Sequence, residues 1–196
     1  LVPFAAFLAR RDGDVGALVD GVVELEEVAE QGVDDLAQED EEITFADLGL
    51  PGDLLKAVTD MGFVTPTAIQ KEAIPVLLAG RDVVGVAQTG TGKTAAFTLP
   101  MLTLLETGRA RARMPRSLVL CPTRELAAQV AENFDTYASH TRLTKALLIG
   151  GVSFGEQDKL IDRGVDVLIA TPGRLIDLIE RGAVQFDQTG FLVLDE

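Results

Sequence analysis

Residues 87–94 read Ala-Gln-Thr-Gly-Thr-Gly-Lys-Thr, and this stretch is the strongest indication of the fold in the sequence. The apolar run Val-Val-Gly-Val precedes it and Ala-Ala-Phe-Thr-Leu follows it, which is the pattern of a strand, a glycine turn and a helix start. Gly90 and Gly92 allow the backbone to turn so that successive N–H groups point inward, and the following helix presents its free N–H groups and the positive end of its dipole to an anion. This arrangement predicts a site for the phosphates of a nucleoside triphosphate.

Two side chains of the stretch suit the same ligand. Lys93 can reach the terminal phosphates, and the Thr94 hydroxyl can bind Mg²⁺. Ala87 stands where the pattern G-x-x-x-x-G-K-[ST] has its first glycine, and we expect this exchange of one small residue for another to be tolerated. The alternative is a glycine turn with an incidental Lys-Thr, and the strand and helix on either side argue against it.

The composition is that of a globular domain with an extension. The chain has 196 residues, of which 47% are hydrophobic and 24% are charged. Its single cysteine, Cys121, excludes an internal disulfide and fits the reducing cytosol, so we expect a cytoplasmic protein. The sequence has no Cys/His cluster at metal-ligand spacing and no apolar run long enough to span a membrane.

The formal net charge of −14 is unevenly distributed along the chain. Residues 1–42 hold 13 Asp or Glu against two Arg, whereas the other 154 residues hold 18 acidic and 15 basic side chains. We interpret residues 1–42 as an acidic, flexible extension without a strong helix or strand signal, although apolar residues spaced by three and four between Val15 and Val28 leave an amphipathic helix open. Binding of protein partners by the extension also stays open. The near-neutral body can bind a polyanion through a few well-placed groups.

From residue 43 onward, apolar strands and helices alternate. Residues 43–80 predict two short helices, one beginning at Pro51 and one capped by Thr65 or Thr67. Residues 81–196 predict five strands, each a continuous apolar run, at 83–86, 117–121, 145–149, 166–170 and 191–194. Strands of this kind are buried on both faces, so the sequence predicts an α/β fold with a doubly wound parallel sheet.

In such sheets, ligands bind outside the carboxyl ends of the strands. Arg124 and Arg174 open helices close behind two predicted strands, where a cation opposes the helix dipole. We therefore expect an anionic ligand to meet these arginines.

The segments from about residue 45 to residue 196 resemble the first RecA-like domain of the DEAD-box RNA helicases. The matching pieces, in chain order, are Phe45 with Gly62-Phe63 and residues 66–70 (the Q motif), residues 87–94 (motif I), Pro-Thr-Arg-Glu-Leu-Ala at 122–127 (motif Ia), Gly150-Gly151, Thr-Pro-Gly-Arg at 171–174 (motif Ib), and Asp195-Glu196 as the opening of Asp-Glu-Ala-Asp (motif II). Motifs Ia and Ib are the most specific, because an ordinary nucleotide-binding ATPase has no need of them.

The resemblance implies the roles of individual residues. Gln70 would bind the edge of adenine and Phe45 would lie against the base. The phosphates of ATP would be bound by Ala87, Gln88, Thr89, Gly90, Thr91, Gly92, Lys93 and Thr94. Asp195 would hold Mg²⁺ together with Thr94, and Glu196 would orient and deprotonate the attacking water, so Lys93, Asp195 and Glu196 are the expected catalytic residues. RNA phosphates and 2′-hydroxyls would contact Thr123, Arg124, Gly151, Thr171 and Arg174, a mode that reads backbone shape rather than base edges.

The resemblance also bears on the extent of the protein. Residues 43–80 would form the Q-motif region and residues 81–196 a truncated RecA-like domain, and neither the end of motif II nor a second RecA-like domain is in the sequence. We therefore expect a piece of a longer ATP-dependent RNA helicase that would not unwind RNA alone. Two alternatives stay open: a non-catalytic module that binds ATP or RNA and acts through partners, and a DNA helicase of the same superfamily.

Overall fold

The computed structural model describes residues 4–10, 23–26, 43–87, 90–151 and 154–195. A seven-stranded sheet forms its centre, with the order β2-β3-β1-β7-β4-β6-β5. The strands are β1 (Phe4–Arg10), β2 (Val23–Glu26), β3 (Val83–Ala87), β4 (Ser117–Leu120), β5 (Lys145–Leu148), β6 (Val167–Ala170) and β7 (Phe191–Asp195). The five strands predicted from continuous apolar runs are confirmed, each within one residue of its predicted bounds.

Most neighbouring strands of the sheet are parallel. β2 pairs in parallel with β3, β4 with both β6 and β7, and β5 with β6. β3 and β7 run in the same direction, because both are antiparallel to β1, which lies between them. The carboxyl ends of β3, β4, β5, β6 and β7 therefore lie at the same edge of the sheet, as the prediction of a parallel sheet requires.

β1 is antiparallel to both of its neighbours. It lies between β3 and β7, with Phe4 opposite Ala87 and Ala6 opposite Asp195. Residues 1–42 were expected to be an extension outside a purely parallel sheet, and this prediction is wrong for residues 4–10. The physical reason is that β1 supplies hydrogen-bond partners to the facing edges of both β3 and β7, and backbone pairing of this kind needs no polar or charged pattern in the sequence.

β2 is a second correction to the predicted extension. It is a strand at residues where the sequence left an amphipathic helix open, and it pairs with β3 from Val23 to Glu26. The rest of the predicted extension lies outside the described residues.

Helices cover both faces of the sheet. The described residues contain α1 (Gly52–Asp60), α2 (Ala68–Leu78), α3 (Lys93–Leu105), α4 (Arg124–Tyr137), α5 (Phe154–Arg163) and α6 (Pro172–Glu180), and a 3₁₀ turn at Phe45–Leu48 precedes them. One buried apolar cluster packs α1 to α4 on one face, and a second packs α5 and α6 on the other. The doubly wound α/β fold is thereby confirmed. None of the described helices is long and apolar enough to cross a membrane.

Local sequence explains how the helices begin. Thr67, one of the two predicted caps, is the N-cap of α2, and its backbone N–H donates to Gln70 Oε1 at 2.9 Å. Pro51 is the N-cap of α1 rather than its first residue, one position from the prediction. Cys121, the single cysteine of the sequence, is buried in the core.

Candidate functional site

The loops singled out in the sequence meet at the carboxyl edge of the sheet. Each strand that carries a predicted site residue ends there: β3 at Ala87, β7 at Asp195, and β4, β5 and β6 just before the loops that hold the arginines and glycines. β7 and β4 are adjacent strands, so the end of β7 and the loop after β4 are one strand spacing apart, about 4.8 Å.

The glycine turn has the backbone that the sequence predicts. Gly90 and Gly92 both have φ near +87°, and Gly92 is the N-cap of α3, whose first residue is Lys93. A left-handed backbone of this kind favours glycine. Gln88 and Thr89, which belong to the same predicted loop, lie outside the described residues.

The amino group of Lys93 lies across its own loop. Lys93 Nζ donates a hydrogen bond to the carbonyl oxygen of Ala87 at 2.6 Å. A phosphate oxygen is a stronger acceptor for an ammonium group than a neutral carbonyl. Binding of a phosphate at this loop can therefore displace the bond to Ala87.

Gln70 is attached to the glycine turn. Its side chain is buried, Nε2 donates to the carbonyl oxygen of Gly92 at 3.1 Å, and Oε1 accepts the N–H of Thr67 at 2.9 Å. Each end of the amide thus makes one hydrogen bond within the protein, although an amide has two donor hydrogens and two acceptor lone pairs. The structure places Gln70 beside the predicted phosphate loop, and its contact with adenine stays a prediction.

Two phenylalanines of the predicted base site are stacked on each other. The rings of Phe45 and Phe63 are 6.5 Å apart with an interplanar angle of 21°. Phe45 is only 2% exposed, whereas Phe63 is 43% exposed. Phe45 was predicted to lie against the base, and of the two rings Phe63 is the exposed one. The Gly62-Phe63 pair of the Q motif is the sequence feature that could have pointed to Phe63.

Asp195 is the last residue of β7, and it is buried. One strand, β1, separates it from β3, so β3 and β7 run about 10 Å apart across the sheet, which leaves room for a phosphate and a metal ion beside their ends. The described residues contain no group of three or more His, Cys, Asp or Glu that could hold a metal. Mg²⁺ commonly takes one or two carboxylates and completes its shell with phosphate and water, so Thr94 and Asp195 fit a magnesium nucleotide. Glu196 lies outside the described residues.

A cavity of about 480 Å³ lies at the same edge. Its lining includes Arg124, Thr171 and Arg174, three of the five residues singled out for RNA. Thr123, the fourth, is the N-cap of α4, where its Oγ1 accepts the N–H of Leu126 at 3.2 Å. The structure therefore brings the predicted groups to one place.

Gly151, the fifth of these residues, lies next to the guanidinium of Arg124. Arg124 Nη1 donates to the carbonyl oxygen of Gly150 at 2.9 Å. Gly151 has φ near +86°, and a Cβ on it would lie 2.7 Å from Arg124 Nη1. A side chain at this position would therefore displace the guanidinium.

Arg174 is held by a residue that the sequence analysis did not single out. It is buried, and its Nε donates to Gln157 Oε1 at 2.8 Å. Gln157 is one polar residue on an amphipathic helix, and no local pattern marks it. Only the tertiary structure identifies this contact.

A family model and individual relatives of known sequence agree on one family for this chain. The family model described as DEAD/DEAH box helicase matches residues 67–196. The ATP-dependent RNA helicase DeaD of Mycobacterium tuberculosis H37Rv is 49% identical over 154 residues, which are 78% of this chain and 27% of that protein. DeaD of Escherichia coli K12 is 47% identical over 156 residues, 79% of this chain and 24% of that protein. The chain thus spans about a quarter of the length of these relatives.

A solved structure supports the same comparison. The crystal structure of the RNA helicase Prp28 from Chaetomium thermophilum bound to ADP aligns with a TM-score of 0.68 and 42% sequence identity. The alignment covers 73% of this chain and 35% of that one.

Proposed function

Because the chain belongs to the DEAD/DEAH box helicase family, we propose that its protein is an ATP-dependent RNA helicase that couples ATP binding and hydrolysis to RNA unwinding or remodelling. One observation carries this proposal beyond family membership. The loop and carboxylate that suit a magnesium nucleotide share the carboxyl edge of the sheet with the arginine-lined cavity. Neighbouring strands β7 and β4 connect the two sites, so a change at one can reach the other over a short, rigid path.

At the nucleotide site, the backbone of the glycine turn and Lys93 would hold the phosphates. Bound ATP with Mg²⁺ supplies a transferable phosphoryl group and a cation that neutralises its charge. Thr94 and Asp195 would hold the metal, and Glu196 would orient the attacking water and accept its proton. Gln70 has one amide hydrogen and one lone pair left for the edge of adenine.

At the RNA site, Arg124 and Arg174 would contact phosphates while Thr171 and the Gly151 backbone approach the sugar. These are contacts to the backbone of a strand, and they carry little sequence information. We accordingly propose a helicase with broad RNA specificity. We further propose a cytoplasmic location and protein partners for the acidic residues before position 43.

The test measures RNA-stimulated ATP hydrolysis by the full-length gene product that contains this chain. Hydrolysis should rise with single-stranded RNA and not with DNA of the same sequence, and Lys93→Ala should abolish it, because the phosphates lose their ammonium partner. Lys56→Ala, which removes an exposed lysine of α1, is the matched control and should turn over normally.

The outcomes separate the alternatives. Normal turnover by Lys93→Ala would contradict the assignment of the phosphate loop. Equal stimulation by DNA would indicate a DNA helicase. A wild-type protein that binds ATP or RNA but never hydrolyses ATP would be a binding module.

A further inference from the structure

The side chain of Gln157 connects two parts of the arginine-lined cavity. It is 4% exposed and lies on α5, between the end of β5 and α6. Its Oε1 accepts the N–H of Arg174 Nε at 2.8 Å, and its Nε2 donates to the carbonyl oxygen of Ile149 at 3.4 Å. A guanidinium only donates and a carbonyl only accepts, so this orientation of the amide is the one that satisfies both partners.

Both partners of Gln157 lead to cations of the cavity. Arg174 lines the cavity itself. Ile149 directly precedes Gly150, whose carbonyl oxygen accepts a hydrogen bond from Arg124 Nη1 at 2.9 Å. A continuous path of contacts therefore runs from one arginine to the other, and the buried amide of Gln157 is its middle member.

We propose that Gln157 is a positioning residue for RNA binding, which is anchored on the carbonyl of Ile149 and fixes the guanidinium of Arg174 before the RNA arrives. An arginine side chain has many rotamers, and holding it in its binding geometry lowers the entropy that binding loses. Gln157 itself does not touch the RNA. This inference rests on the proposed function, because it takes RNA phosphates as the ligand of the cavity.

The competing explanation is that Gln157 only satisfies buried polar groups and stabilises the fold. The two explanations differ in how Gln157 and Arg174 are coupled. If Gln157 acts through Arg174, its removal has no effect on RNA binding once Arg174 is gone, whereas a general structural role would give independent, additive effects.

The experiment is a double-mutant cycle on the full-length gene product that contains this chain, read by fluorescence anisotropy with a labelled single-stranded oligouridylate. Gln157→Met has nearly the same length and cannot replace the two hydrogen bonds. It should weaken RNA binding roughly tenfold, the loss typical of one hydrogen bond to a charged group. In the Arg174→Met background, the same substitution should change RNA affinity by less than about twofold, the deviation expected when two residues act as one unit.

Two further measurements make the result specific to RNA. The affinity for fluorescent ADP, which the loop at 87–94 determines, should stay within about twofold of wild type, an ordinary margin for an uninvolved residue. Gln185→Met substitutes an exposed glutamine in the same way and should leave RNA affinity unchanged. If circular dichroism shows that Gln157→Met is unfolded, the cycle is run with Gln157→Asn, which keeps a buried amide but withdraws it by one C–C bond, about 1.5 Å.

The results distinguish this inference from the function on which it rests. A wild-type full-length protein that does not bind the RNA would overturn both proposals. A wild-type protein that binds RNA, together with a Gln157→Met variant that binds equally well, would overturn the positioning role alone. Additive effects of the two substitutions would also overturn it.

Discussion

Replacing Gly92 by alanine should destabilise the protein for two separable reasons. The backbone φ of Gly92 is +87°, a conformation that strains any residue with a Cβ. The new methyl group would also overlap Gln70 Nε2 and lie 3.1 Å from Gln70 Cδ. Gln70 is buried, so its side chain cannot move aside without losing its own hydrogen bonds.

The cost follows from these two terms. A left-handed backbone costs an alanine roughly 1–2 kcal/mol. Displacing Gln70 breaks its bonds to Gly92 O at 3.1 Å and from Thr67 N at 2.9 Å, each worth about 1 kcal/mol. The free energy of unfolding should therefore fall by about 3–4 kcal/mol, and at roughly 2–4 °C per kcal/mol for a chain of this size, Tm should fall by about 6–16 °C.

Gly90 supplies the matched control for this experiment. It has the same φ of +87°, but a Cβ there would meet no atom of the described residues within 4 Å. Gly90→Ala should therefore show the backbone term alone, about 1–2 kcal/mol. Thermal unfolding followed by circular dichroism compares the two variants with wild type, and Gly92→Ala is also made in a Gln70→Ala background, where only the backbone term should remain. Equal Tm shifts for Gly90→Ala and Gly92→Ala would refute the reasoning, because they would show that Gln70 does not occupy the space above Gly92.

Two further predictions concern charged groups away from the site. Asp166 and Arg116 form a buried ion pair, with side chains 9% and 15% exposed, so Asp166→Ala should lower the free energy of unfolding by about 3–5 kcal/mol. Asp162→Ala, in the exposed pair with Arg113, should lower it by less than about 1 kcal/mol. Similar losses for the two variants in denaturant titrations would contradict this difference. Hydrogen bonds from the backbone N–H and hydroxyl of Thr44 hold the pKa of Asp47 below its ordinary value of 3.8. Because the pKa is lower in the folded than in the unfolded state, the ionised Asp47 stabilises the fold above pH 3.8, and this contribution is lost as the pH falls through the lowered pKa. Wild type should therefore lose more stability than Asp47→Asn between about pH 5 and 3. Parallel curves of unfolding free energy against pH would exclude the effect.

The elements that sequence analysis predicted well are those determined by their own residues. The strand at Val167–Ala170 is buried at every position, and a continuous apolar run is the sequence signature of that environment. The glycines at 90 and 92 were predicted to turn the chain, and their positive φ confirms it. The rule that ligands bind at the carboxyl ends of parallel strands then placed Arg124 and Arg174 at one edge without any knowledge of side-chain contacts.

The contacts that sequence analysis missed depend on residues far apart in the chain. Gln157 and Arg174 are 17 positions apart and Gln70 and Gly92 are 22 apart. A glutamine on a helix is more often exposed than buried, so the residue type alone gives no reason to expect that Gln157 contacts Arg174 or that Gln70 contacts Gly92. His140, the only histidine, has Nε2 2.7 Å from Asp60 Oδ2, and that partner lies 80 positions earlier. Such pairs become visible only when packing brings two helices together.

The antiparallel strand β1 shows why even a correct fold class can leave the geometry of a site undetermined. The chemistry at the ends of β3 and β7, a phosphate loop and a carboxylate, follows from their own residues, but the sequence contains no local signal for the distance between these ends. That distance is set by the strand that separates them, which pairs with β3 from Phe4 to Leu8 and with β7 from Ala6 to Arg10. Without an intervening strand, the two ends would be one strand spacing apart, about 4.8 Å, which is too close to admit a phosphate and its metal between them. The separation of about 10 Å between β3 and β7 therefore depends on a segment far from both in the sequence, which supplies hydrogen-bond partners to their facing edges.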